Sequence, residues 1–274
     1  MNMNRNKIAG AIYGFAIGDA MGATTEFMSE EQIKHSFGKV TDIIGGGWLN
    51  LKPGEVTDDT QMTMCVMNAL MSTSDEEDPF GFEFAKACRK EFIEWYRTKP
   101  KDVGGQCSRA INYMMQGNLC AYIDYNALGN GSLMRAMPCA LVDKQFLNEV
   151  QGRLTHNNPE CTQIIQEYSR LIQKYLNGGL YTGEAKSILE PSGLIWNTFN
   201  NSVFWSCQDS FEDAIIGAVN HGGDADTIAA ITGSLAGAKF GMGEIPLRWI
   251  SQLDSKVKYF LEKFQKYVFT YLQI

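Results

Sequence analysis

Glycine constrains this chain more than any other residue type. Gly10, Gly14, Gly18 and Gly22 recur every four residues, and Gly233, Gly237 and Gly241 repeat the spacing far down the chain. In a helix interior each glycine costs about 1 kcal/mol relative to alanine. Two helices that carry it as a stripe are expected to come close enough for their backbones to touch. If the stripes meet, Asp19 and Asp224 are carried towards one region. If the spacing has no packing meaning, the two helices are independent of each other.

The rest of the chain reads as helical. Ile8, Ile12, Phe15 and Ala16 share one face of a first helix, and Met62, Val66, Ala69 and Leu70 share one face of a second. Ile228, Ile231 and Leu235 repeat the pattern, and Val257, Phe260, Leu261, Phe264, Val268 and Leu272 form an amphipathic helix near the C-terminus. Alternating strands are missing. VTDIIGGGW, from Val40 to Trp48, is the best candidate and reads better as a glycine-broken loop. The acidic run SDEEDPFG, Ser74 to Gly81, reads as a solvated surface loop. The expected fold is all-α, with residues 1–274 forming a single compact domain.

Charge and cysteine usage narrow the partners. A net charge of -7 argues against a nucleic-acid-binding surface, which is normally basic. Seven cysteines, with no CxxC pair, read as reduced thiols of a cytoplasmic protein. The basic and apolar N-terminus resembles a signal peptide, yet its apolar run is short, glycine-rich and stops at Asp19. No stretch is long and apolar enough to cross a bilayer. A monomer without membrane or nucleic-acid partners is expected.

Two acidic clusters carry the chemistry. In GEVTDDTQMTM, Thr57, Asp58 and Asp59 stand directly before a periodic apolar helix; in VNHGGDADTIAAI, Asp224, Asp226 and Thr227 do the same. Either cluster alone reads as an N-cap, because Thr and Asp accept the free N–H groups of a first helical turn. Together they suggest an oxygen-rich site for hard divalent cations, magnesium or manganese, in a chain with only three histidines. Converging carboxylates repel one another unless cations neutralise them, and a two-metal site is the natural arrangement. DADT also fits the DxDxT signature of haloacid dehalogenase-like phosphatases. That motif follows a buried strand early in a Rossmann-like domain, whereas here AVNHGG precedes it, late in a helical chain. In GNGSLMRAMP, Gly129, Asn130, Gly131 and Ser132 offer backbone N–H groups and a hydroxyl to a phosphate. Arg135 either pairs with the acidic cluster or builds the pocket floor.

GDAMGATTEF, GEVTDDTQM, GNGSLMRAMP, LTHNNPE, SFEDAI and NHGGDADTIAAITGSLAGAKFG occur in that order. Together they resemble the ADP-ribosylglycohydrolase family, over a span from about Ile8 to Trp249. The resemblance implies a compact multi-helix fold with a metal-containing cleft that holds two divalent cations, Mg2+ or Mn2+. It implies Thr57, Asp58, Asp59, Asp224, Asp226 and Thr227 as metal ligands, and Glu26 and Asp226 as catalytic residues. Gly129, Asn130, Gly131, Ser132 and His156 would bind ADP-ribose, and Asp102 would grip a guanidinium. The implied reaction removes ADP-ribose from an ADP-ribosylated protein, from arginine in the first instance. Alternatives are cleavage of serine-linked or small-molecule conjugates, and an ADP-ribose-binding or immunity protein with little turnover. The complete acidic set speaks against a degenerate, crystallin-type member.

Overall fold

A computed structural model describes residues 3–73, 78, 80–183 and 188–274. Most of the acidic run from Ser74 to Gly81 lies outside these residues. Helices dominate, and among the described residues no strand forms; two isolated bridges, Gly46 to Leu51 and Gly129 to Leu194, are the whole of the β-structure. The segment from Val40 to Trp48 is a loop, as its glycines require.

The helices run α1 Met3–Gly22, α2 Glu30–Phe37, α3 Asp58–Ser72, α4 Phe82–Arg97, α5 Gly105–Met115, α6 Met137–Leu141 and α7 Gln145–Arg153. They continue with α8 Pro159–Leu176, α9 Ile195–Ser206, α10 Phe211–His221, α11 Ala225–Phe240, α12 Leu247–Gln252 and α13 Ser255–Tyr271. α1 and α11 form the axis of the molecule, packed antiparallel along their whole length. A Cβ placed on Gly14 would stand 2.2 Å from the Gly233 carbonyl oxygen, and one on Gly237 would stand 2.0 Å from that of Gly10. Lower down, alanine takes over on α11: a Cβ on Gly18 would meet the Ala229 oxygen at 2.0 Å. The two stripes therefore do pack together, backbone against backbone. Gly241 ends α11 with a φ of +90° that favours glycine, and its backbone still abuts the stripe, with its carbonyl carbon 2.7 Å from a Cβ placed on Gly10.

Helices α3, α8, α9, α10 and α13 surround this pair, and α4 to α7 extend the packing on one side. α1 is buried on every side from Ile8 to Gly22, where periodicity alone suggested one apolar face. A helix at the centre of a bundle has no solvent face to keep polar, so its stripe disappears. α3 keeps its stripe, with Met62, Val66, Ala69 and Leu70 all buried, and so does α13 through Val257, Leu261, Phe264 and Val268. Among the described residues no helix is long and apolar enough to cross a membrane.

Candidate active site

Antiparallel packing of α1 on α11 sets the end of one helix beside the start of the other, and the start of α3 docks at the same place. Asp19, in the last turn of α1, accepts the Thr57 and Thr60 N–H groups at 3.0 Å each. The Thr57 hydroxyl caps α3 by accepting the Asp59 N–H at 3.3 Å. With these N–H groups met by Asp19 and Thr57, the side chains of Asp58 and Asp59 are released from capping. At α11 the capping explanation fails directly. Asp224 occupies the N-cap position, yet its side chain makes no cap bond and accepts the Asn130 side-chain amide instead.

The glycines before the aspartates bring in a third wall. Gly222 and Gly223 adopt φ of +76° and +64°, and a Cβ on Gly223 would fall 1.9 Å from the Pro191 oxygen. The turn they make grips the segment after α1: Phe27 N–H donates to the Gly223 carbonyl at 2.7 Å, and Gly223 N–H to that of Met28 at 2.9 Å. Glu26 is thereby held against α11. Ligating oxygens of Glu26, Asp224 and Asp226 lie within 4.8 Å of one another. The Thr227 hydroxyl spans the two halves, 3.4 Å from Asp59 Oδ1 and 3.5 Å from Asp224 Oδ1.

So many acids in one place are held far from their ordinary state. Burial, and after it the like charge of Asp102, pushes Asp58 up to about 7. Burial raises Asp224 to about 6, even though Asn130 and Thr227 hydrogen-bond its carboxylate. Asp59 and Asp226 go well above the carboxylate range, first through burial and then through neighbouring acids, Asp226 acting on Asp59 and Glu26 on Asp226. Glu26 is pushed up to about 8 by burial against the pull of Trp48, whose indole N–H donates to Glu26 Oε2 at 2.6 Å.

The acids face a cleft of about 350 Å3, whose opposite wall carries Asp102, Gly129, Asn130, Gly131 and His156. Asp102 accepts the Val103 N–H at 2.7 Å and shares a hydrogen bond with Asp58. Trp48 and Phe27 flank the entrance, their ring centroids 5.5 Å apart. Two of the expected residues stand back from the cleft. The Ser132 side chain is fully buried beside Cys161 and Gly152, because the short 3-10 turn at Asn130–Ser132 rotates it towards the core. Thr57 is occupied as the α3 cap. Arg135 does not pair with the acids. It is fully buried beneath the cleft, donating to the Gly131 and Gln151 carbonyls and the Thr155 hydroxyl, with its guanidinium 4.8 Å from the Phe92 ring centroid.

Sequence reasoning gave no role to Asp19, Trp48 or Thr155. The glycine spacing brought Asp19 towards the acids, but nothing near Glu26 in the sequence points to Trp48. The donor set fits a hard divalent cation: it is all oxygen, it is mutually repulsive, and Asp59 Oδ2 is buried without a hydrogen-bond partner.

Known proteins resemble this chain in sequence and in fold. The family model described as ADP-ribosylglycohydrolase matches residues 1–194 and 185–272. The ADP-ribosyl-[dinitrogen reductase] glycohydrolase of Rhodospirillum rubrum is 35% identical over 277 residues, covering 92% of each chain. The ADP-ribosylarginine hydrolase Tri1 of Serratia proteamaculans (strain 568) is 28% identical over 289 residues, which span 90% of this chain and 75% of that protein. A solved structure titled ADP-ribosylglycohydrolase-related protein complex superposes with a TM-score of 0.81 at 28% identity, over 97% of this chain and 99% of the other.

Proposed function

The chain belongs to the ADP-ribosylglycohydrolase family, and on that premise we propose that it hydrolyses the N-glycosidic bond between ADP-ribose and a protein arginine. The observation that carries this reading is the meeting of Glu26, Asp224 and Asp226 at one end of a cleft that also presents Asp102. A relative named as an ADP-ribosylarginine hydrolase supports this linkage, and one named for ADP-ribosyl-[dinitrogen reductase] supports a protein substrate.

Asp58, Asp59, Asp224, Asp226 and Thr227, with Thr57 behind them as the cap of α3, would hold two divalent cations, magnesium or manganese. When bound, these supply Lewis-acid stabilisation and an acidified water. The remaining work falls to the chain. Asp102 receives the guanidinium through a bidentate, charge-assisted hydrogen bond. The loop at Gly129, Asn130 and Gly131 binds the diphosphate with backbone N–H groups and the Asn130 amide. Glu26, fixed by Trp48, passes a proton to the departing guanidine nitrogen as the bond to the ribose carbon breaks. Asp226 orients the incoming water. The water oxygen then bonds that carbon as its proton passes to Asp226 and on to the Glu26 carboxylate, giving free ADP-ribose and unmodified arginine. The substrate is an ADP-ribosylated protein, and nothing in the reaction calls for nucleic acid or a membrane.

The test incubates the protein with ADP-ribosyl-arginine and ADP-ribosyl-serine peptides, with and without a chelator. We expect release of ADP-ribose from arginine, lost with chelator and restored by magnesium or manganese. Cleavage of the serine peptide alone would overturn the arginine assignment. Tight ADP-ribose binding without release would instead make the protein a binding or immunity module.

A further inference from the structure

We propose that Arg135 and Thr155 lock His156 in the neutral tautomer that carries its proton on Nε2, so that a buried donor permanently faces the ligand cleft. Arg135 can only donate hydrogen bonds. Its Nη2 donates to the Thr155 hydroxyl oxygen at 2.6 Å, and that oxygen lies 2.8 Å from His156 Nδ1. Because the oxygen already receives the guanidinium, its own proton is free to go to Nδ1. A ring nitrogen that accepts must be bare, and in a neutral imidazole the proton then resides on the other nitrogen.

The competing arrangement sends the Thr155 proton to Cys107 and lets Nδ1–H donate to Thr155. Cys107 is close enough to take part, since Thr155 and Arg135 both interact with its thiol. A thiol sulfur is a weak acceptor, however, and Arg135 Nη1 already points at it from 3.8 Å. The imidazole nitrogen wins the hydroxyl proton. The ring stays neutral for a separate reason: burial, followed by the positive charges of Arg135 and Arg109, pushes His156 down to about 3.

His156 is 2% exposed, and its Nε2 has no protein partner among the described residues although it lines the cleft. The ring lies over the glycine loop: Cβ atoms on Gly129 and Gly131 would sit 3.2 Å from Nε2 and 2.8 Å from Cε1. A fixed N–H there suits an oxygen acceptor of the bound molecule, either a phosphate or a sugar hydroxyl. Thr155 and Arg135 are thus positioning residues acting through His156. The choice of ligand rests on the ADP-ribose reading above; the tautomer does not.

Long-range 15N–1H correlation spectra of the full-length, 15N-labelled protein test this. The His156 signals are identified by their loss in His156→Asn. Wild type is expected to show a protonated Nε2 and a bare Nδ1. Thr155→Val should release the lock, bringing in the Nδ1-protonated form, and weaken ADP-ribose binding in calorimetry roughly ten- to a hundredfold, the value of one hydrogen bond to a charged group. Thr155→Ser should keep both properties. A wild-type proton on Nδ1, or an unchanged tautomer in Thr155→Val, overturns the proposal. If Thr155→Val does not fold, the wild-type spectrum decides alone. If wild type shows the expected tautomer yet binds no ADP-ribose, the lock stands and the functional reading falls.

Discussion

In the proposed mechanism the chemistry turns on Glu26, and its surroundings make that role separable from ligand binding. Glu26→Gln keeps the size of the side chain and the hydrogen bond from Trp48 but cannot give up a proton. We expect kcat to fall about a hundred- to ten-thousandfold, with ADP-ribose affinity in calorimetry largely kept; a variant turning over at the wild-type rate would remove Glu26 from the mechanism. Asp102→Asn should act differently, raising KM for an arginine-linked peptide while leaving affinity for free ADP-ribose unchanged. Equal losses for both ligands would show that Asp102 does not address the guanidinium. The acidic residues were legible because Asp and Thr before an apolar run are conspicuous, and two such runs have few explanations. Ser132 was legible only as a residue type, since which way a hydroxyl turns depends on a 3-10 turn that the motif does not announce. Trp48 was silent because its bond to Glu26 joins a glycine-rich loop to the end of the first helical segment, 22 positions apart.

At the scale of elements, the α1 and α11 pair decides where everything else stands. A methyl group on Gly14 pushes first against the Gly233 backbone, which cannot turn aside as a side chain can, and then against the buried Phe211 ring at 3.0 Å. Gly14→Ala should therefore cost at least about 1–3 kcal/mol by overpacking, read as a lower urea midpoint with an unchanged m-value. A midpoint equal to wild type would mean that the helices separate easily and do not fix the site. The four-residue spacing revealed that these helices approach closely, but not that they run antiparallel, since a glycine stripe looks the same in either direction. That direction is what brings Asp19 to the α3 cap and Asp224 to Glu26. The residues at the start of α3 had two readings in the sequence, cap or cation site, and the structure divides them: Thr57 caps the helix, and the two aspartates behind it face the cleft.

For the molecule as a whole, the acidic centre ties stability to pH and, on the proposed reading, to metal. Asp58, Asp224 and Glu26 have folded values raised to about 7, 6 and 8, above those of an unfolded chain. Between about pH 4 and 8 the folded state therefore binds more protons than the unfolded state. Their favourable contribution is complete below the unfolded values and is lost as pH rises through the folded ones. The chelated protein should melt at progressively lower temperature from pH 5 to pH 8. Magnesium or manganese should raise Tm more at pH 8 than at pH 5, because the carboxylates must be ionised to bind; at a hundred times Kd the gain is about 2.7 kcal/mol. A Tm indifferent to both pH and metal would contradict the site. The all-α character was readable throughout, because helix periods survive everywhere except at the centre, where full burial erases them. The antiparallel axis also sets a timetable for synthesis. The partner of α1 leaves the ribosome more than two hundred residues later, a wait of roughly 10–45 s at common elongation rates. Throughout that interval the first helix has no glycine-matched surface to meet, and Asp58 and Asp59 have no opposing half. A nascent chain arrested before Ala225 should remain open to protease digestion, and protection should arrive in one step once α11 has emerged.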